Sequence, residues 1–287
     1  MFLIISIINF LIVLLLVRLL IRPIEVNFNQ IYGTIYKITD YVLKPLKTLF
    51  REDSKSVFLS VCALVILRGL FYILIYPAQL LTGIGISFLD LFRLLFQFYM
   101  VVWFIAVLTG DRSQTSVISL AQRAFLPLSR LTSRLGISRK HFSTFAFVLL
   151  LLTFSILTYL IHCAIPTGDF RYFTYHYQLF LTLPPPFTLL HGIGESLLLI
   201  INLFPGFFTL IIIVGALLSW VSPDPYNPIV QTIYGISEPL LTPFRRIIPN
   251  LGGIDITPII AIICFQFCGV ALRQLVGAIV GAILRVV

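Results

Sequence analysis

The chain has 287 residues, of which 59% are hydrophobic and only 11% are charged. A soluble domain carries roughly 25% charged residues, so this composition, with a mean hydropathy of +1.04, excludes an ordinary soluble protein and indicates a polytopic membrane protein. The net charge of +9 is unevenly distributed, and its distribution predicts how the chain is oriented in its membrane.

Six apolar segments are long enough to cross a bilayer, whose hydrocarbon core of about 30 Å requires roughly 20 helical residues. The predicted spans are 2–21, 57–80, 87–109, 142–165, 196–220 and 257–285. We therefore predict an all-α fold with about six transmembrane helices arranged as three helical hairpins. The first span carries its first charge at Arg18 and has no small-residue cleavage site, so we expect a retained helix and not a signal peptide.

Lysine and arginine cluster in the connections that follow odd-numbered spans. Of the 20, seven lie between residues 18 and 55, six lie between residues 112 and 140, and two are Arg245 and Arg246. The opposite connections, 76–86 and 166–194, contain only Arg171. The positive-inside rule therefore predicts that the basic segments are cytoplasmic and that both termini are outside. We expect anionic lipid head groups, and not nucleic acid, to attract these segments.

Residues 28–47 and 226–245 carry the same pattern at an offset of 198. Without a gap, the two segments are identical at eight of twenty positions and conservatively related at six more. The conservative pairs include Asp40 with Glu238 and Lys47 with Arg245. Such self-similarity indicates a duplicated structural unit.

A third, weaker copy covers residues 116–130, where Pro127 aligns with Pro243 and Gln122 with Glu238. We therefore predict three units, each made of a span, an amphipathic cytoplasmic helix and a second span. The predicted divisions are 1–83 for the first unit, 84–166 for the second and most divergent unit, 167–194 for an outer loop rich in aromatic residues and proline, and 195–287 for the third unit.

Each connecting segment is predicted to be a helix in the membrane interface. At about 100° per residue, residues 28–51 separate apolar from charged side chains, which is typical of interfacial amphipathic helices. The apolar side comprises Phe28, Ile31, Ile35, Ile38, Val42 and Leu49, and the charged side comprises Lys37, Asp40, Lys44, Lys47 and Arg51. The middle copy has a similar stripe of arginines. The predicted lipid or partner contacts are Lys37, Lys44, Lys47, Arg123, Arg130 and Arg134.

Capping residues and prolines delimit the helices of the third unit. Asn227 followed by Pro228 is a favoured start of a helix. Pro239 and Pro243 lack backbone donors, so we expect the helix to kink or stop there. Asp255 is predicted to cap the last span.

This third unit resembles the YggT family of small bacterial membrane proteins, which has relatives in chloroplasts. The resemblance is specific over about residues 210–272 and rests on an ordered string of residues. The string is Ser219-Trp220, Asn227-Pro228, Glu238-Pro239, Pro243, Arg245-Arg246, Pro249, Gly252-Gly253 and Asp255 through Pro258. The first unit keeps Asn29, Asp40, Pro45 and Lys47 but lacks the Asn-Pro and Asp-x-Thr-Pro elements.

The resemblance implies a role without catalysis in the inner (plasma) membrane. Members of the family are linked to membrane organisation, to the assembly of cofactors or complexes, and to osmotic stress tolerance. No catalytic residue comes with the resemblance, so its motif residues are expected to serve structure or partner contact.

Ionisable residues inside spans are the first candidates for chemistry, because each costs about 2.5–3.5 kcal/mol at the bilayer centre. Arg68, Asp90 and Arg93 form such a group in the second and third spans. We predict that Asp90 pairs with Arg93, with Arg68 or with both. The functional interpretation is a path for ions, and the alternative is a structural ion pair that holds a hairpin together.

No pattern indicates an enzyme, a cofactor or a metal site. The cysteines, Cys62, Cys163, Cys264 and Cys268, lie in apolar spans without a CxxC pair, which is typical of small buried side chains. The four histidines show no ligand spacing. We also find no phosphate-binding glycine loop, nucleophile elbow or carboxylate pair.

Three functional hypotheses follow. The leading one is a non-enzymatic scaffold or assembly factor that engages anionic lipids or a membrane-protein partner through its basic helices. The alternative is a channel or transporter of the osmotic stress response, with Arg68, Asp90 and Arg93 along its path. The third is a structural homo-oligomer held by Gly277 and Gly281 of the last span.

Overall fold

The structure is a computed structural model that describes most of the chain. The described residues are 2–27, 30–47, 52–75, 80–109, 116–136, 138, 141–164, 189–221, 224, 227–247 and 255–286. Several positions named above lie outside them, namely Phe28, Asn29, Leu49, Arg51, Arg171, Pro249, Gly252, Gly253 and most of the predicted outer loop 167–194.

Every regular element in these ranges is helical. The α-helices are α1 (Phe2–Leu20), α2 (Gln30–Lys47), α3 (Asp53–Ile75), α4 (Leu80–Thr109), α5 (Ser116–Ala124), α6 (Leu126–Arg134), α7 (Phe142–Ala164), α8 (Leu189–Val221), α9 (Pro228–Arg245) and α10 (Thr257–Val286), and Pro23–Asn27 form a short 3-10 helix. Helices α1, α3, α4, α7, α8 and α10 are long and apolar enough to cross a membrane. The predicted all-α membrane fold with six spans is confirmed.

The described residues form two compact units. One lies within Met1–Phe98 and Leu157–Leu179, and the other lies within Tyr99–Ile156 and Phe180–Val287. These units rest on contacts in the structure, whereas the predicted division into three units rests on sequence repetition. The threefold division therefore stays a prediction.

In the first unit, α1, α2 and α3 pack around a small apolar core. Leu15 of α1, Leu43 of α2 and Val57 of α3 are buried together there. Because lipid tails are as apolar as these side chains, the core contributes through close packing more than through removal of apolar surface from water. The core therefore places α2 against the ends of two spans.

In the second unit, α8, α9 and α10 meet in a similar way. Ile212 of α8, Leu241 of α9 and Ala261 of α10 form a buried cluster. Leu241 is the counterpart of Leu43 at the offset of 198. The matched leucine of each amphipathic helix thus packs into the core beside its own two spans.

Helix α9 passes through Pro239 and Pro243 and ends at Arg245. Of the two outcomes expected at these prolines, a stop is therefore wrong, and a kink stays a prediction. An internal proline costs about 3 kcal/mol, but Ile236 and Leu240 bury one side of this helix, and α9 packs against both α8 and α10. This packing preserves the helix where local preference would end it.

The middle connecting segment is two short helices instead of one. Helix α5 ends at Ala124 and α6 begins at Leu126, with Phe125 between them. The buried Phe125 ring packs edge-on against Tyr99 at 5.9 Å and Phe142 at 6.4 Å. Pro127 cannot donate the helical hydrogen bond that would bridge this point, so the predicted arginine stripe is divided between two helices, with Arg123 on α5 and Arg130 and Arg134 on α6.

Helices α8 and α10 come into close contact where Gly269 faces Pro205. A Cβ atom added at Gly269 would lie 2.5 Å from Pro205 Cγ. By contrast, no described atom lies within 4 Å of a Cβ atom added at Gly277 or Gly281. A methyl group added at either glycine of the pair behind the oligomer hypothesis would therefore meet open space in the described part of this chain.

We expect Gly269→Ala to destabilise the second unit by about 1–3 kcal/mol, because the added methyl group overpacks the contact with Pro205. Gly277→Ala is the matched control in the same helix, where nothing opposes the added methyl group, and it should leave stability unchanged or raise it by up to about 1 kcal/mol. Unfolding of the purified protein in a denaturing detergent measures both variants. Equal losses of stability would contradict the assigned contact.

Candidate functional site

Arg18 lies in the last turn of α1, and only 3% of its surface is exposed. A guanidinium remains charged in proteins, and burying it without partners is costly. Its position at the carboxyl end of α1 is favourable, because that end of a helix carries partial negative charge. Side chains of α2 and α3 supply the remaining partners.

Two carboxylates and an aromatic ring hold the Arg18 guanidinium. Its Nε and Nη2 atoms donate to Asp53 Oδ2 at 3.1 and 2.9 Å. Its Nη1 atom donates to Asp40 Oδ1 at 2.9 Å and to Thr39 Oγ1 at 2.7 Å. The guanidinium carbon also lies 3.9 Å from the centre of the Tyr36 ring, in cation–π contact. These contacts join the end of α1, the middle of α2 and the first residue of α3.

Lys47 completes this cluster. Its Nζ atom lies 2.8 Å from Asp40 Oδ1 and 3.1 Å from Asp53 Oδ1. We call the four residues Arg18, Asp40, Lys47 and Asp53 the Arg18 junction, in which two cations are paired with two carboxylates. Because α2 supplies both Asp40 and Lys47, the junction determines which side of α2 faces the spans.

The ion pairs shift the pKa values of the α2 groups. Burial raises the pKa of the Asp40 carboxyl, but hydrogen bonds from Lys47 and Arg18 outweigh burial and bring that pKa below its ordinary value. Burial lowers the pKa of Lys47, but hydrogen bonds to Asp40 and Asp53 outweigh it and raise that pKa. Both groups are therefore charged at neutral pH.

A related cluster lies in the second unit, and we call Glu238, Arg245 and Asp255 the Arg245 junction. Arg245 Nη1 lies 2.5 Å from Glu238 Oε2, and its Nε atom lies 3.1 Å from Asp255 Oδ2. Asp255 Oδ1 also accepts the backbone N–H of Thr257 at 2.9 Å. Burial raises the pKa of the Asp255 carboxyl, but hydrogen bonds from Thr257 and the charge of Arg245 lower it below its ordinary value. One carboxylate thus caps α10 and binds the arginine.

The two junctions use matched positions of the repeat. In each, an acid on the amphipathic helix pairs with a base seven residues later, and the base also contacts an acid where the next span begins. The acids on the helices are Asp40 and Glu238, the bases are Lys47 and Arg245, and the acids of the next span are Asp53 and Asp255. Seven residues cover about two helical turns, so each pair runs along one side of its helix toward the next span.

The first junction contains a cation that the second lacks. Arg18 donates to Thr39, whereas Ser237, the counterpart of Thr39, faces Gly215 of α8. A Cβ atom added at Gly215 would lie 3.0 Å from Ser237 Oγ. Because Gly215 has no side chain, α8 and α9 pack directly against each other there. The corresponding position of the first unit holds the Arg18 guanidinium.

The other motif residues cap helices or lie at the surface. Asn227 Oδ1 accepts the N–H of Ile229 at 2.9 Å, so the predicted cap of α9 is confirmed, and the bond from Thr257 to Asp255 confirms the cap of α10. Trp220 is 86% exposed near the end of α8 and therefore takes no part in the core. Pro228 begins α9, Arg246 is exposed after its end, and Pro258 lies in the first turn of α10.

The residues predicted to contact lipid or a partner do not share one environment. Lys47 belongs to the Arg18 junction, while Lys37 and Lys44 are exposed on the same helix. Arg130 and Arg134 are exposed on α6, and Arg123 is partly buried on α5. The lysines belong to the first unit and the arginines to the second.

Arg68 is fully buried and binds neutral groups. Its Nε atom donates to Ser87 Oγ at 3.0 Å, Nη1 donates to Asn9 Oδ1 at 2.5 Å, and Nη2 donates to the Ser87 carbonyl. Asp90 accepts a hydrogen bond from Tyr72. Among the described residues Asp90 therefore does not pair with Arg68, because Asn9 of α1 and Ser87 bind the guanidinium, and the alternative pairing of Asp90 with Arg93 stays a prediction. Arg93 lies three residues beyond Asp90 on α4.

Sequence reasoning missed the central parts of the first junction. In the sequence pattern Arg18 is only the first charge of its span, and no short-range pattern indicates Asp53. At the offset of 198, Asp53 falls opposite Leu251, so the repeat matches Asp53 with Asp255 only when a gap of four residues is allowed after residue 47. The signal for that match is that each acid stands where the second span of its unit begins.

A comparison with known protein families finds a match within the second unit. The family model described as CCB3/YggT matches residues 194–276, which include α9 and both sides of the Arg245 junction. No solved structure matches the chain.

Several bacterial proteins resemble part of the chain. It is 38% identical over 86 residues to the uncharacterized protein PA0392 of Pseudomonas aeruginosa, covering 30% of this chain and 44% of that protein. It is 33% identical over 84 residues to an uncharacterized protein in the proC 3' region of Vibrio alginolyticus, covering 29% and 45%. It is 32% identical over 68 residues to the uncharacterized protein YggT of Escherichia coli K12, covering 24% and 36%. The chain thus spans less than half the length of these relatives.

We expect Arg18→Met to lower the free energy of unfolding by about 3 kcal/mol, the upper end of the range for hydrogen bonds to a charged group. The half-exposed carboxylates can regain water, which limits the loss. Arg22→Met removes the same charge from an exposed side chain and should leave stability within about 0.5 kcal/mol of wild type. Denaturant titration measures both variants, and similar losses would contradict the junction.

Acidification should weaken the Arg18 junction. The folded pKa of Asp40 lies below its ordinary value of 3.8, so the unfolded chain binds this proton first as the pH falls. The stabilisation is therefore complete well above pH 3.8 and is lost as the pH falls from there toward the folded pKa. The difference in unfolding free energy between wild type and Asp40→Asn, measured from neutral pH to about pH 3, should narrow. A constant difference would refute the assignment.

Proposed function

We propose that this chain, whose residues 194–276 match the CCB3/YggT family model, is a non-enzymatic membrane protein of that family that organises or assembles other components of its membrane. The relatives match only about a third of the chain, or less, so the role of the whole protein is part of this proposal.

One observation carries the proposal: in each unit an ion-paired junction holds an amphipathic helix in a defined orientation beside two spans. The inner sides of α2 and α9 are taken up by Leu43 and Leu241 in their cores. Their outer sides remain exposed. A helix held in this way presents its outer side chains from a rigid support, which is what recognition of another molecule requires.

The distribution of charge supports a placement at the cytoplasmic face of the inner (plasma) membrane. The Arg18 and Arg245 junctions lie in the basic segments that follow odd-numbered spans, where the positive-inside rule expects cytoplasm. Both termini are then outside the cytoplasm. The partners in this proposal are anionic lipids together with a membrane protein or a second copy of the chain.

The osmotic channel hypothesis receives less support from the first unit. A conducting path needs polar groups that can exchange partners with ions or water. Arg68 is instead fully buried among Asn9 and Ser87, and Asp90 is held by Tyr72. These contacts favour a structural part for the intramembrane polar group.

The test compares membrane complexes in cells with and without the protein. We expect its deletion to lower the abundance of at least one membrane complex on quantitative native gels, and the wild-type gene to restore it. Arg245→Gln, which breaks the Arg245 junction, should restore it poorly. Arg245→Lys keeps a charge that can pair with Glu238 and should restore most of it.

Two outcomes would contradict the proposal. In the first, no complex changes although all variants reach the membrane in equal amounts. In the second, liposomes containing the purified protein release solute after an osmotic downshift and Asp90→Asn abolishes the release. The second outcome would support the channel hypothesis.

A further inference from the structure

Helix α2 presents three faces of different character. The buried face consists of Tyr32, Thr39 and Leu43. About 90° around the helix lies an apolar stripe that is partly exposed, made of Ile31, Ile35, Ile38 and Val42. Roughly opposite the buried face, Lys37, Tyr41 and Lys44 are exposed, and we call these three residues the Lys-Tyr ridge.

The order of side chains around α2 fits a membrane surface. Tyr41 lies between the apolar stripe, at Ile38, and the two lysines of the ridge. The Tyr41 side chain is 82% exposed, and tyrosine is enriched at the level of lipid head groups because its ring is apolar and its hydroxyl is polar. The helix therefore passes from an apolar side, through an amphipathic ring, to positive charge.

The charges of the ridge are available for binding. Neither Lys37 nor Lys44 forms an ion pair with any residue that the structure describes, whereas Lys47 is held by Asp40 and Asp53. Of the three lysines of α2, Lys47 thus pairs with acids of its own unit, whereas Lys37 and Lys44 pair with no residue that the structure describes.

The repeat supplies an internal comparison. At the offset of 198, the counterparts of Lys37, Tyr41 and Lys44 on α9 are Gly235, Pro239 and Thr242. The two helices share their core leucine and the acid–base pair seven residues apart, but α9 lacks both charges and the aromatic ring. The ridge is therefore a property of the first unit and is not needed to build the junction.

We propose that the Lys-Tyr ridge binds the head groups of anionic phospholipids in the membrane that holds the chain. This inference rests on the proposed function in one respect, that α2 lies at the membrane surface. Lys37 and Lys44 are separated by about 10 Å along the helix, so their ammonium groups pair with separate lipid phosphates. Tyr41 lies between the two lysines along the helix, with its ring at the boundary with the acyl chains, and its hydroxyl group donates a hydrogen bond to a phosphate oxygen.

The experiment uses the full chain in nanodiscs of phosphatidylcholine titrated with photoactivatable phosphatidylglycerol. Crosslinks to residues 30–47 are quantified by mass spectrometry, with crosslinks to residues 228–245 as the internal reference. Each basic residue near an anionic surface contributes about 1 kcal/mol, so Lys37→Gln or Lys44→Gln should raise the lipid fraction needed for half-maximal crosslinking about fivefold. Added salt should weaken crosslinking to wild type.

Lys55→Gln is the matched control, since Lys55 is an exposed lysine of the same unit that pairs with Glu52 at 3.1 Å. It removes the same charge and should leave crosslinking to α2 unchanged. The ridge variants should unfold at the same denaturant concentration as wild type, because neither lysine belongs to the junction. Lys47→Gln serves as the variant that does lose stability.

Equal crosslinking of photoactivatable phosphatidylcholine and phosphatidylglycerol to α2 would overturn the proposal. So would an unchanged midpoint in folded Lys37→Gln and Lys44→Gln, which would leave an acidic protein as the candidate partner. The two proposals fail separately. Selective crosslinking of anionic lipid without any change in membrane complexes would reject the assembly role alone. A change in membrane complexes without selective crosslinking would reject lipid binding by the ridge alone.

Discussion

A guanidinium at the end of an apolar helix must have partners, and this requirement organises the first unit. Arg18 is almost fully buried, and its donors are satisfied by Asp40 and Thr39 of α2 and by Asp53 of α3. Because partners come from both neighbouring helices, the charge cannot be satisfied unless all three helices meet. The orientation of α2, and hence the exposure of the Lys-Tyr ridge, follows from this constraint.

The second unit reaches a related arrangement without the buried cation. Gly215 of α8 packs directly against Ser237, at the position where the first unit holds the Arg18 guanidinium. The pair of Glu238 and Arg245 then extends to Asp255, which also caps α10. The two units thus share an acid–base pair and a core leucine while differing in what fills the space between helices.

Patterns within a short stretch predicted the structure well, and contacts between distant stretches did not follow from them. The six spans and the caps by Asn227 and Asp255 depend on neighbouring residues and are confirmed. The helix does not stop at Pro239 or Pro243, which was one of the two outcomes expected there, because α8 and α10 support it. Arg68, one of the two partners predicted for Asp90, does not pair with it because Asn9, 59 residues from Arg68, binds the guanidinium.

The sequence by itself determined which segments are apolar enough to cross a membrane, which segments repeat and where α9 and α10 begin, because these properties depend on composition and local chemistry. Only the tertiary structure decided which charges are used internally. Lys37, Lys44 and Lys47 are equivalent in the amphipathic pattern, yet only Lys47 lies within reach of Asp40 and Asp53. That distinction depends on how α2 is rotated against α1 and α3, which long-range packing and the charge of Arg18 determine.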